Sequence, residues 1–170
     1  MAANATCQFI CAGDEELFNK ASPAFDAMSK NKVFLGNDVK KASNMKLVVN
    51  GMLANVSASI AEGLSLSEKC GIESDTMENI LSNHAMNSPL LQLSMKNMFS
   101  GVHDPLFMLQ HMAKDARLSH ELAGSVGQSS AITAATKAYY DQANAMGLGK
   151  ANWTAVKEAV AGENGGEGGK

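Results

Sequence analysis

From Val39 to Cys70, apolar residues fall at Met45, Val48, Val49, Met52, Val56 and Ile60. That is the i, i+3, i+4, i+7 recurrence of one helix face, and Gly71 supplies a stop. A helix of this extent is about 45 Å long at 1.5 Å per residue. Small residues at Gly51, Ala54, Ser57, Ala58, Ser59, Ala61 and Gly63 let neighbouring helices approach closely on several sides, so this helix is expected to be central. Further helices are predicted from Asp75 to Ser82, with Asp75 and Glu78 forming a capping box, and from Pro89 to Phe99. Others run from Pro105 to Gly124, from Ser129 to Met146 ahead of Gly147, and from Trp153 to Val160.

The first 36 residues carry a different pattern. CQFICA and KVFLG are short apolar runs suited to buried strands. Between them, Asp14 is placed to cap one short helix, and Ser22 before Pro23 to open a second. Strand, helix, strand is the unit of a parallel sheet, yet two strands are marginal alone. This segment therefore looks like the end of an α/β domain. The fold class expected is mainly α, with a small α/β piece at residues 1–36 and an all-helical domain at 37–160. The glycine-rich and charged residues 161–170 are expected to form a disordered tail.

Composition narrows the partners. Hydrophobic residues make up 45% and charged residues 18%, the balance of a globular chain, and a net charge of -3 without a lysine-arginine cluster argues against nucleic acid and membrane surfaces. No uninterrupted apolar run approaches the length of a membrane span. Cys7, Cys11 and Cys70 are odd in number and lack zinc-type spacing, so no metal is expected; a reducing, intracellular compartment is, cytoplasmic or organellar if a transit peptide belongs to the natural protein. The eleven methionines are expected to fill the core.

Two polar constellations sit on the predicted helices. Lys46 and Asn50 are four apart and share a face, continued by Leu53 and Ser57. A snorkelling lysine beside a polar asparagine would look the same; alternatively, a partly buried ammonium can donate a proton while the amide holds a substrate oxygen. In DPLFMLQHMAKDARL, residues Phe107, His111, Lys114, Asp115 and Arg117 are expected on one helix. His111 and Asp115 would be half a metal site, but no third ligand follows at a suitable spacing. A solvated face accounts for Lys114 and Asp115 equally well.

FLGNDVKKASNMKLVVN, AEGLSLSEKCGI, DPLF with LQHMAKDARL, and GLGKANWTAVKEAV occur in this order. Together they resemble the β-hydroxyacid dehydrogenases, the 3-hydroxyisobutyrate dehydrogenase-like family, and within it the plant-type glyoxylate/succinic semialdehyde reductases and the related N-PAC proteins. The resemblance covers nearly all of residues 7–160 and concerns the C-terminal portion of such proteins. It implies a helical domain like the 6-phosphogluconate dehydrogenase C-terminal domain, preceded by the remnant of a Rossmann domain. It also implies an NADP- or NAD-dependent reductase of small aldehydes or oxo acids that oligomerises through its helices.

By the family pattern G-x-G-x-x-x-K-x-x-x-N, Lys46 takes the place of the catalytic acid/base and Asn50 that of a substrate-binding residue. Phe107 and Asp115 correspond to substrate-side residues and Lys114 to one near the cofactor. The two glycines of that pattern are Lys40 and Ala42 here. The chain also lacks the G-x-G-x-x-G loop that holds a dinucleotide's pyrophosphate, and the family's serine and glycine substrate segment. The isolated chain is therefore expected to be inactive, and the resemblance leaves a non-catalytic oligomerisation module of N-PAC type as the alternative.

Overall fold

The computed structural model describes residues 2–162 of the 170. The expected tail lies outside the described residues from 163 on; 161 and 162 close the last helix. Contacts divide the chain into two units, Met1–Val49 and Asn50–Lys170.

The first unit holds strand β1 (Cys7–Cys11), helix α1 (Glu15–Met28) and strand β2 (Ser29–Phe34), the strands pairing in parallel. One helix replaces the two expected between the strands. Asp14 caps it, accepting from the Leu17 amide at 2.7 Å, and Pro23 lies inside it. Ser22 is therefore not a cap; its carbonyl and hydroxyl receive Lys32 Nζ instead. Phe9, Phe18, Phe25 and Phe34 cluster between sheet and helix, with centroids of 4.9 Å for Phe9–Phe25 and for Phe18–Phe34. None of the four is fully buried.

Helix α2 (Lys40–Lys69) begins in this unit, where the Asp38 carboxylate accepts from the Lys40 amide at 3.0 Å. It ends at Gly71, whose φ of 73° lets the Gly71 and Ile72 amides close the last turn on Glu68 and Ser67. The second unit takes up the rest of α2 with α3 (Ser74–Ser82), α4 (Pro89–Ser100), α5 (Leu109–Ser125), α6 (Ala131–Ala145) and α7 (Val156–Gly162), the last preceded by a 3-10 turn at Trp153–Ala155. The expected capping box of α3 is absent: Glu73 takes the cap position and makes no side-chain bond there.

Neighbouring helices meet α2 on its small residues, as expected, with Gly51, Ala54, Ser57, Ala58 and Ala61 buried, but on one face rather than several, since Ser59 and Gly63 are exposed. The apolar stripe Met45, Val48, Val49, Met52 and Val56 is exposed, Met52 at 63%. Periodicity identifies residues that share a face, but close approach between helix backbones selects the face without bulk. The core behind that face is built from Leu64, Met95, Met98, Leu109, Met112, Tyr140, Ala143, Val156 and Val160. Met95, Met98 and Met112 are core filler as expected, whereas Met45, Met52, Met86 and Met146 are exposed.

By length and mean hydropathy alone α2 is long and apolar enough to cross a membrane, although Asn50, Asn55, Ser57, Ser59 and Glu62 interrupt its apolar residues. Its polar residues reach other helices of the bundle. Asn55 Nδ2 donates to Thr133 Oγ1 at 3.1 Å, Glu62 accepts from the Tyr139 hydroxyl at 2.7 Å, and Glu68 pairs with Lys157 at 2.6 Å. Lys157, nearly buried, also donates to the Met98 carbonyl and lies over the Phe99 ring, tying α7 to α2 and α4.

Candidate functional site

Asn50 and Asp115 meet where α2 passes α5. Asn50 Nδ2 donates to Asp115 Oδ2 at 2.5 Å, 65 positions apart in sequence. Asp115 is fully buried, and a buried carboxylate is tolerated only when matched by partners. Asn50 supplies one; the half-exposed Lys114 reaches back with Nζ 2.9 Å from Oδ1 and supplies another. The direction of the Asn50 bond fixes its amide, leaving one Nδ2 hydrogen and the Oδ1 acceptor for a ligand.

This contact depends on a glycine. A Cβ on Gly51 would stand 2.9 Å from Ser119 Cβ and closer still to its hydroxyl, so α2 and α5 approach here only because Gly51 has no side chain. Overpacking costs about 1–3 kcal/mol, and the better helix propensity of alanine returns about 1 kcal/mol at most. Gly51→Ala is therefore expected to lower stability by about 1 kcal/mol in denaturant titrations, and adding Ser119→Gly should recover most of the loss. If the single variant is as stable as the wild type, the crossing is not as tight as described.

Phe107 is not on α5, contrary to expectation, and Pro105 does not open that helix. Residues 103–109 are instead stitched to the segment 151–154. The Asn152 amide donates to the His103 carbonyl at 2.9 Å, the Trp153 amide to Phe107 at 3.0 Å, and the Leu109 amide to Ala151 at 2.8 Å. His103, itself nearly buried, places Nδ1 3.1 Å from Thr154 Oγ1 and Nε2 3.2 Å from Glu158 Oε1. A proline suits a first helical turn, but these backbone bonds hold the segment outside the helix.

The half-buried Phe107 ring lies 6.3 Å from Trp153 and 6.0 Å from His111, centroid to centroid. Trp153 Nε1 donates to Ser57 Oγ at 3.2 Å, which anchors the indole to α2. Tyr140 packs by the same serine; burial pushes its phenol well above the ordinary range, and the Ser57 hydroxyl offsets part of that rise. His120 faces Ser130 at 2.7 Å, away from this cluster. Among the described residues no three His, Cys, Asp or Glu side chains gather as a metal site would require.

Lys46 stands one turn before Asn50 on α2, at the expected spacing. Its side chain is exposed, which corrects the partly buried ammonium inferred from the sequence. The structure thus joins Asn50, Lys114 and Asp115 directly, and sets Phe107 beside Trp153 and His111. Trp153, Ser57 and Gly51 were not singled out as site-supporting residues. The signal was there for Gly51, since a glycine inside a long helix costs about 1 kcal/mol against alanine and calls for a packing reason. An apolar cavity of about 330 Å³ between α2, α3 and α4, lined by Ile60, Leu64, Met77, Leu81 and Leu91 among others, includes none of the candidate site residues.

The chain is similar to known proteins over most of its length. Over 152 residues the chain is 40% identical to "Glyoxylate/succinic semialdehyde reductase 2, chloroplastic" of Arabidopsis thaliana, covering 89% of the chain and 42% of that protein. It is 34% identical to the cytokine-like nuclear factor N-PAC of Gallus gallus over 150 residues, 88% of the chain and 27% of the relative. The chain thus spans half or less of the length of these relatives. The crystal structure of a 3-hydroxyisobutyrate dehydrogenase from Salmonella typhimurium superposes with a TM-score of 0.85 at 22% identity, over 92% of the chain and 55% of that protein, and shares its fold. Residues 41–160, which include Lys46, Asn50, Phe107, Lys114 and Asp115, match the family model described as "NAD-binding of NADP-dependent 3-hydroxyisobutyrate dehydrogenase", and the chain belongs to that family.

Proposed function

We propose that this chain is the helical, substrate-side part of an NAD(P)-dependent reductase that converts a small aldehyde or oxo acid, such as glyoxylate or succinic semialdehyde, to the hydroxy acid. The Asn50–Asp115 hydrogen bond carries the reading, because it links the two sequence motifs into one polar site. The nicotinamide, when bound, supplies the hydride. Lys114 fits the anionic cofactor: its ammonium is held by Asp115 yet half exposed. Lys46 Nζ delivers the proton to the substrate oxygen. Asn50, one turn away and about 6 Å along the axis, holds that oxygen. Asp115 keeps the Asn50 amide turned, and Phe107 gives the substrate an apolar wall. The exposed Lys46 must be desolvated by whatever packs over it, a nucleotide-binding domain in this reading.

A second reading, a non-catalytic oligomerisation module like the corresponding part of an N-PAC protein, draws support from the exposed apolar stripe Val48, Val49, Met52 and Val56. The same stripe supports homo-oligomer formation by the reductase. An intracellular location belongs to both readings.

The test is the intact mass of the polypeptide from its source, followed by NADPH oxidation with glyoxylate and with succinic semialdehyde. A polypeptide heavier than 17.9 kDa is expected to oxidise NADPH, and the 170-residue chain alone is not. A steady rate from the short chain would overturn this division of the site. No rate from a heavier polypeptide would favour the oligomerisation module.

A further inference from the structure

The His111 ring lies 6.0 Å from that of Phe107, centroid to centroid, and His111 stands one turn before Asp115 on α5, so it adjoins both the apolar wall and the polar floor of the site just described. Its exposed ring is tilted 37° to that of Phe107, which backs it from one side. Among the described residues neither ring nitrogen has a hydrogen-bond partner. An imidazole offers at least one N–H donor whichever nitrogen carries the proton. The one buried anion nearby, Asp115, already has Asn50 and Lys114 as partners, so an arriving carboxylate meets donors and cations.

We propose that His111 is a specificity-determining substrate residue, donating an N–H to the carboxylate of an oxo acid whose reacting carbon sits at Asn50. This rests on the reductase reading above. One helical turn, about 5–6 Å, separates the His111 and Asp115 side chains. That spacing suits an ω-oxo acid, whose carboxylate is several bonds from the aldehyde carbon, better than a two-carbon acid, whose carboxylate adjoins it.

The experiment is an NMR titration of the intact polypeptide, as isolated from its source, with 4-hydroxybutyrate and, separately, with 1,4-butanediol, which has the same length and no carboxylate. The hydroxy acid is expected to move the His111 ring and Asn50 side-chain amide signals together. His111→Phe, which keeps an aromatic ring at an exposed position, should weaken hydroxybutyrate binding about tenfold, the effect of losing a hydrogen bond to a charged group, and leave butanediol unaffected. If the variant binds hydroxybutyrate as tightly as the wild type while Asn50 still responds, His111 has no such role and the reductase site stands. If neither ligand moves Asn50 or Phe107, the site reading falls and takes this inference with it.

Discussion

On the proposed reductase reading, Lys46→Met in the intact polypeptide is expected to lower kcat for aldehyde reduction by about two to four orders of magnitude, the contribution of a well-placed general acid. Methionine keeps the length and apolar stem of lysine, and Lys46 is exposed on a helix that continues to Lys69, so the fold should survive. Substrate KM should change much less, because Asn50, Phe107 and Asp115 remain. The check is the rate of NADPH disappearance at saturating substrate, with sedimentation velocity on the same samples. Unchanged assembly with a collapsed rate supports the proton-donor role. A rate within a few-fold of wild type rules it out. An oligomerisation module would show no NADPH oxidation in either form and the same sedimentation in both.

Trp153→Ala is expected to act on fold and site together. The indole is 6% exposed, bonded to Ser57 and tilted 56° against the Phe107 ring, and the Trp153 backbone amide donates to the Phe107 carbonyl. Truncating a buried tryptophan costs about 3–5 kcal/mol. In a chain of this size the melting temperature should fall by on the order of 10 °C. The hydrogen bond from Trp153 Nε1 is lost as well, leaving the buried Ser57 hydroxyl without its donor. Trp153→Phe, which fills most of the space but cannot donate, should lose clearly less. If the two variants melt alike, the hydrogen bond rather than the packing sets the loss. If neither moves the transition, Trp153 does not organise this part of the core.

Local signals made some of this legible in the sequence. The two strands and the bounds of α2 followed from apolar runs, Asp14 marked the start of α1, and Gly71 the end of α2. Pro89 with Ser88 marked α4 in the same way, the serine accepting from the Leu91 amide at 3.2 Å. Lys46, Asn50, Phe107, Lys114 and Asp115 were identified by resemblance, and Asn50 and Asp115 came together only in three dimensions. Pairing across 65 positions has no local signature. The misreadings share that cause. Pro105 satisfies the local rule for a helix start, but its segment is held out of the helix by residues nearly 50 positions later. The small residues of α2 did point to close helix approach, but which single face would be packed, leaving Met52 and Val56 exposed, depended on distant helices.

The stitching of residues 103–109 to 151–154 also bears on biosynthesis. Chains emerge from the ribosome at about 5–20 residues per second, and Phe107 leaves well before its partners at Trp153 and Asn152. Until those late residues appear, the loop carrying Phe107 has none of these backbone bonds, however complete α2 and α5 already are. Assembly of the site therefore waits until residues 151–154 have emerged, and a premature stop codon after Lys150 would yield a chain that keeps every candidate site residue but leaves Phe107 unfastened.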